Sequence, residues 1–129
     1  MAGTSTVTKR EQGSYTLHGI AVTVDASGDC TAYTEPIWGW VASIAYVKTD
    51  YADGVDFTIT GETTTIRLWT DTNINATETV FPRVVENLGT TGAAQTTVTP
   101  IVLAGERIKI IVAQGGVSKV GTFNIIVKR

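Results

Sequence analysis

The sequence predicts an all-β fold, either a single antiparallel β-sandwich of jelly-roll type or a small barrel. Thr, Val and Ile, which all branch at Cβ, fill 50 of the 129 positions, whereas Leu fills four and Met one. β-branched side chains lose rotamer freedom in helices and pack well on a pleated sheet. Strand-like segments also recur every 8–15 residues with turn residues between them and no helical period. Seven or eight short strands suit a sandwich or a small barrel.

The strand pattern is clearest in the middle and at the end of the chain. Residues 55–60 alternate between apolar and polar side chains, which predicts a strand with one buried face and one wet face. A turn at Gly61 is expected to pair that strand with residues 65–70 as a hairpin. Residues 107–113 and 122–128 alternate in the same way and are expected to form a second hairpin.

Residues 1–14 are expected to form a flexible N-terminal arm, and residues 15–129 a single β-sandwich domain. The first fourteen residues are polar, rich in Thr and Gly, and carry no apolar cluster that would attach them to a core. Lys9, Arg10 and Glu11 stand together in this segment. Two interpretations stay open: a frayed terminus, or an arm that becomes ordered on a neighbouring subunit.

Composition and charge argue against several classes of function. No apolar run reaches the roughly 18–20 residues that a membrane helix needs, and the first residues lack the apolar core of a secretory signal. Ten basic and twelve acidic residues, with a pI near 5.3, give no footprint for nucleic acid. The single Cys30 predicts neither an internal disulfide nor a zinc site. We therefore expect synthesis in a reducing cytoplasm, with no membrane or nucleic-acid partner.

The titratable residues do not form a pattern that is typical of catalysis. His18 is the only histidine and no Gly-x-Ser-x-Gly elbow is present, so His18 is expected to be a core or surface residue. A thiol–imidazole pair of Cys30 with His18 is the alternative. The acidic clusters at residues 25–29 and 50–56 do not match a calcium loop and are expected to bond the local backbone. We expect no enzyme activity, catalytic residue, cofactor or metal.

The tryptophans are the remaining candidates for a binding site. Trp38 and Trp40 are two residues apart in a predicted strand, so they are expected to share one face. Such a pair favours a core or a subunit interface. The alternative is a carbohydrate-binding module, in which Trp38, Trp40 or Trp69 stacks on sugar.

Three sequence blocks resemble a known group of proteins. The segment 46–62, the tripeptide Phe81-Pro82-Arg83 and the segment 113–116 resemble small β-rich proteins encoded among the structural genes of tailed bacteriophages. The shared order covers most of residues 37–127. The group includes head decoration or cement proteins, which often form trimers on the outside of the capsid, and also head-completion and tail components.

The resemblance implies a non-enzymatic virion protein that is made in the host bacterial cytoplasm. As a decoration protein it would bind the outside of the major capsid protein lattice as a homotrimer. The candidate contact residues are Lys9, Arg10 and Glu11 in the arm, Trp38 and Trp40 in one strand, Pro100 in an expected edge strand, and Arg83 as an anchor to an acidic capsid surface.

Overall fold

The computed structural model describes residues 3–129, which form an all-β sandwich of two antiparallel sheets. Met1 and Ala2, the first two residues of the expected arm, lie outside the described residues. Eleven strands follow one another along the described chain: β1 (Thr4–Gln12), β2 (Tyr15–Thr23), β3 (Cys30–Tyr33), β4 (Ile37–Lys48), β5 (Val55–Gly61), β6 (Arg67–Ile74), β7 (Glu78–Val80), β8 (Arg83–Asn87), β9 (Ala94–Glu106), β10 (Ile108–Ala113) and β11 (Val120–Lys128).

The strand order confirms the predicted jelly roll. The larger sheet runs β1-β2-β11-β4-β9-β8, with β7 also paired to β4, and the smaller sheet runs β3-β10-β5-β6. The groups β2-β11-β4-β9 and β3-β10-β5-β6 have the order of an eight-stranded jelly roll, which is built from two Greek keys. Strands β1, β7 and β8 are additions to the larger sheet. Because the described sheets end at edge strands, they do not close into a barrel.

The core is filled by aromatic and β-branched side chains from both sheets. Phe57 lies at its centre, with its ring 4.8 Å from Phe123, 4.7 Å from Tyr46 and 5.5 Å from Trp69, each in an edge-to-face arrangement. Edge-to-face contacts suit the charge distribution of aromatic rings. The core therefore joins β5 and β6 of the smaller sheet to β4 and β11 of the larger one.

One of the two predicted hairpins is confirmed and the other is wrong. β5 pairs with β6 as expected. β10 belongs to the smaller sheet and β11 to the larger, so the buried faces of these two strands oppose each other across the core instead of pairing. An alternating pattern shows only that one face of a strand is buried. The alternating pattern is the same for two paired strands and for two strands in opposite sheets.

The first fourteen residues differ from the expected flexible arm. Over Thr4–Gln12 they form β1, which pairs with β2 along its whole length. Gly13 makes the tight turn between them, with a φ of 63° that glycine adopts without steric cost. All nine residues of β1 are exposed. An edge strand that no second sheet covers has two wet faces, so its sequence lacks the apolar alternation that identified the other strands.

Candidate functional site

The outward face of the larger sheet carries a row of exposed aromatic and aliphatic side chains. Tyr15, Lys128, Trp40 and Val102 are direct neighbours across β2, β11, β4 and β9. Tyr15, Trp40 and Val102 are 47%, 51% and 57% exposed. We call these four residues the aromatic row. Exposed aromatic residues grouped in this way are typical of interaction surfaces.

A depression lies beside the aromatic row, between β1, β2 and β11. The next row of paired residues contains Arg10, Leu17 and Ile126, and these line a cavity of about 350 Å³ together with Tyr15 and Gln12. Its lining is mostly apolar and includes the Arg10 side chain. The depression is large enough to accept a side chain of a partner protein.

The paired outward positions of the larger sheet carry cations and no carboxylate. In the described strands these positions include Arg10, Arg83 and Lys128, and neither Asp nor Glu. Glu11 and Glu78 fall on the inward side of the ladder, and Glu86 lies at the register shift of β8. The three outward cations therefore have no carboxylate neighbour among the paired positions of their face.

Several acidic residues hold loops and strand ends together: Asp25 bonds its local backbone as predicted, whereas Asp50 and Asp56 bond residues distant in sequence. Asp25 accepts hydrogen bonds from the backbone N–H groups of Ser27 and Asp29, at 2.9 and 3.0 Å. These bonds, that from Asp29 foremost, lower the pKa of Asp25. Asp50 accepts a hydrogen bond from the backbone N–H of Val120 at 2.7 Å. Residues 3–129 contain no group of three His, Cys, Asp or Glu side chains that could hold a metal ion.

Trp38 and Trp40 are both exposed but do not form a common platform. Trp40 lines a surface cavity with Lys128 and Arg129, whereas the Trp38 indole, 62% exposed, lies against Gly105 and lines a different cavity. The bulge of this ladder lies before Trp38, and Trp38 and Trp40 pair with Ala104 and Val102. The register therefore keeps the period of two on which the expected common face depends, although Gly39 between them has a φ of 123°.

Lys9 and Glu11 lie on the opposite face of β1 from Arg10. They line a small cavity of about 80 Å³ with His18 and Trp38. Glu11 lies 3.5 Å from the Lys9 ammonium and 3.7 Å from the Arg129 guanidinium. The three charged residues that are adjacent in sequence therefore divide between two surfaces, since neighbouring side chains of a strand point to opposite faces.

His18 is a core residue, which is one of the two expected placements. It is 3% exposed, and its Nδ1 atom has no hydrogen-bond partner among the described residues. Burial and, to a smaller extent, the nearby Lys9 ammonium lower the pKa of His18, while Glu35 and Glu11 act in the opposite direction. The imidazole is therefore held neutral.

Arg83 and Pro100 are neighbours at the far side of the outward face. They pair where β9 changes partner, from β4 over Ile101–Glu106 to β8 over Ala94–Pro100. Arg83 donates a hydrogen bond to the Pro82 carbonyl at 2.7 Å and a longer one of 3.5 Å to Ala42. Ala42 is the extra residue of a bulge between β4 and β11, so the Arg83 guanidinium reaches a carbonyl at an irregular point of the ladder. Pro100 lies at an internal junction of the sheet rather than in an edge strand.

Cys30 is a buried thiol at the start of β3. Burial, with a smaller effect of the Asp25 carboxylate, raises the pKa of Cys30. A thiol with a raised pKa forms little of the nucleophilic thiolate at neutral pH. The burial of Cys30 therefore does not favour the thiol–imidazole alternative.

Comparison with protein-family models finds no match, and neither does comparison with curated proteins or with solved structures. Within residues 3–129 there is also no helix of the length and apolar character that a membrane span requires.

Sequence reasoning found some residues of the outward face and missed others. Trp40, Arg10, Arg83 and Pro100 were singled out, whereas Tyr15, Leu17, Val102, Ile126 and Lys128 were not. The signal lies in strands β2 and β11, where apolar residues occupy positions on both faces. An apolar residue at an outward position of a one-sided sheet marks a surface that is covered by something else.

Proposed function

We propose that the protein is a non-enzymatic structural protein of a tailed-phage virion, a head decoration or cement protein that binds the outside of the major capsid lattice as a homotrimer. The observation that supports this most is the aromatic row on the outward face of the larger sheet. The row crosses four strands and exposes tryptophan, tyrosine and valine side chains, which suits docking on another protein. The jelly-roll fold is compatible with this role because viral capsid proteins use it.

A cement protein stabilises a shell by adding binding free energy across the boundaries between capsomers. The force that it resists is the outward pressure of the packaged DNA. One interface of roughly 1,600 Å² gives useful affinity. Three linked copies increase the overall affinity because dissociation requires all three contacts to open. A trimer also needs a contact between two different surfaces that closes on itself.

Binding to capsids tests the proposal directly. The major capsid protein encoded by the same genome is assembled into DNA-free heads, and the purified protein is sedimented with them. We expect saturable binding and heads that resist heating or dilution better than bare ones. Light scattering is expected to give three times the 13.7 kDa of one chain, about 41 kDa. Heads that bind no protein, or a genome without a major capsid protein, would contradict the proposal.

Position on the virion separates decoration from the head-completion and tail alternatives. Antibody labelling in electron micrographs is expected to cover the whole head surface. Labelling confined to the head–tail junction or to the tail would instead identify a completion or tail component.

The second candidate function is carbohydrate binding, which the exposure of Trp38 and Trp40 favours. Jelly rolls also occur in lectins. Trp69 is buried beside Phe57 and serves as an internal reference. A sugar that stacks on either exposed indole would change the tryptophan fluorescence and protect it from acrylamide, and the Trp38→Ser/Trp40→Ser variant would lose that response. Fluorescence that no glycan changes would remove this candidate.

A further inference from the structure

The charge of the outward face indicates the chemistry of its partner. In a chain with a net charge of −2, this face presents Arg10, Arg83 and Lys128 and no carboxylate at its paired strand positions. Two of these cations adjoin the apolar groups: Lys128 lies in the aromatic row between Tyr15 and Trp40, and Arg10 lines the depression. We propose that this face docks on an acidic surface of the capsid protein, with Trp40 as the apolar anchor. This inference rests on the proposed function.

The size of the face is that of a small protein contact. Strands β1, β2, β11, β4 and β9 lie side by side and span four spacings of about 4.8 Å, which makes the face about 19 Å wide. Nine-residue strands such as β2 and β11 are about 30 Å long. The projected area is about 570 Å², below the roughly 800 Å² that one partner contributes to a standard interface. One acidic partner surface can therefore cover the whole face.

The arrangement of the groups places the apolar anchor beside cations. Trp40 and Val102 are adjacent across β4 and β9, and each is about half exposed. Tyr15 begins β2 and Lys128 ends β11, so the aromatic row lies at one end of the sheet. Arg83 and Arg10 lie toward opposite sides of the face, on β8 and β1. These cations favour an acidic partner and repel a basic one.

A second copy of the chain is a poorer occupant in a face-to-face contact. Two copies of this face would place Arg10, Lys128 and Arg83 against the same cations of the partner. Like charges brought together across an interface cost binding free energy. The proposal therefore assigns the face to the capsid and leaves the trimer contact to other surfaces of the chain.

The test compares matched charge reversals on the two sheets. Lys128→Glu and Arg10→Glu change the outward face, and Arg67→Glu changes an exposed residue of β6 in the smaller sheet. All three variants have the same net charge, so general repulsion between protein and heads is matched. Trp40→Ser removes the anchor. Binding to DNA-free heads is measured by cosedimentation at 50 and at 500 mM NaCl, after thermal unfolding has shown that each variant folds.

We expect Trp40→Ser to weaken binding by about 30-fold, as for other central tryptophan anchors. Each outward charge reversal is expected to weaken it by about tenfold at low salt and by less at high salt, where charges are screened. Arg67→Glu is expected to stay within about twofold of the unchanged protein. Heads that bind all four variants equally would overturn the assignment of the face while leaving the proposed function standing.

Two other outcomes would also overturn the inference. If Trp40→Ser dissociates the trimer in light scattering, the face is the contact between subunits. If neither the unchanged protein nor any variant binds the heads, the proposed function itself fails and the inference fails with it.

Discussion

Tyr46 and Tyr51 provide a matched pair of buried hydroxyl groups with opposite expected effects. Both side chains are almost fully buried, and their rings stack with centroids 5.9 Å apart. The Tyr51 hydroxyl donates a hydrogen bond of 2.6 Å to the Val22 carbonyl. The Tyr46 hydroxyl has no partner among the described residues. Replacement by Phe removes one oxygen from each ring and keeps the packing of both.

The two substitutions should therefore change stability in different directions. Tyr51→Phe loses a buried hydrogen bond and is expected to lower the free energy of unfolding by about 1–2 kcal/mol. Tyr46→Phe removes a desolvated hydroxyl and is expected to raise it by up to about 1 kcal/mol. For a chain of this length about 4 °C in Tm corresponds to 1 kcal/mol. We expect Tm to fall by about 4–8 °C for Tyr51→Phe and to rise by up to about 4 °C for Tyr46→Phe.

Calorimetry and urea unfolding of the two variants measure this difference in the free energy of unfolding. The pH dependence of stability in alkaline solution provides a second test. Burial raises the pKa of Tyr46 to about 12, so ionisation of this residue in the unfolded chain lowers the stability of the fold as the pH rises from 10 toward 12. The Tyr46→Phe variant should lose less stability over that interval. The reasoning is refuted if Tyr46→Phe destabilises the protein as much as Tyr51→Phe, because the Tyr46 hydroxyl would then have a partner.

Three further predictions follow from individual contacts. Gly121→Ala places a Cβ 2.7 Å from Cδ2 of the buried Tyr51 ring and should lower the free energy of unfolding in urea by about 1–3 kcal/mol. Gly89→Ala places a Cβ where no atom lies within 4 Å and should change that free energy by less than about 0.5 kcal/mol. Equal effects of the two variants would contradict the packing around Gly121. Because the pKa of His18 lies below its ordinary value of 6.5 in the folded protein, the free energy of unfolding should fall as the pH drops below 6.5. Tm should therefore decline between pH 7 and 5.5, and His18→Phe should make that decline less steep. An unchanged slope in the variant would show that other groups cause the decline. Cys30, with its raised pKa, should react with a disulfide reagent much more slowly than free cysteine at pH 8 and quickly in urea; a fast reaction in the folded protein would instead support a nucleophilic role for Cys30.

Much of the fold could be predicted from the sequence, because most of its strands have one apolar face. Strand β5 and its pairing with β6 follow from alternation and a tight turn. The sheet to which a strand belongs does not follow, since β10 and β11 alternate alike and yet face each other across the core. Strand β1 was missed because both of its faces are wet. Periodicity reports burial, and only tertiary contacts decide pairing.

The candidate site was predicted only in part, for a related reason. Trp40 and Arg83 attract notice as single residues, but the aromatic row consists of residues from four strands that pairing brings together. The absence of carboxylates on the outward face is likewise a property of the pairing register. The bulge between Ile37 and Trp38 and the positive φ of Gly39 likewise leave little trace in sequence.

Hydroxyl-radical footprinting of the protein bound to DNA-free heads tests the central claim most directly. Tyr15 and Trp40 lie on the outward face, and Tyr33 lies in β3 of the smaller sheet as an internal control. The account predicts that binding lowers the oxidation rates of Tyr15 and Trp40 several-fold and leaves that of Tyr33 unchanged. Protection of Tyr33 with unchanged Tyr15 and Trp40 would contradict it.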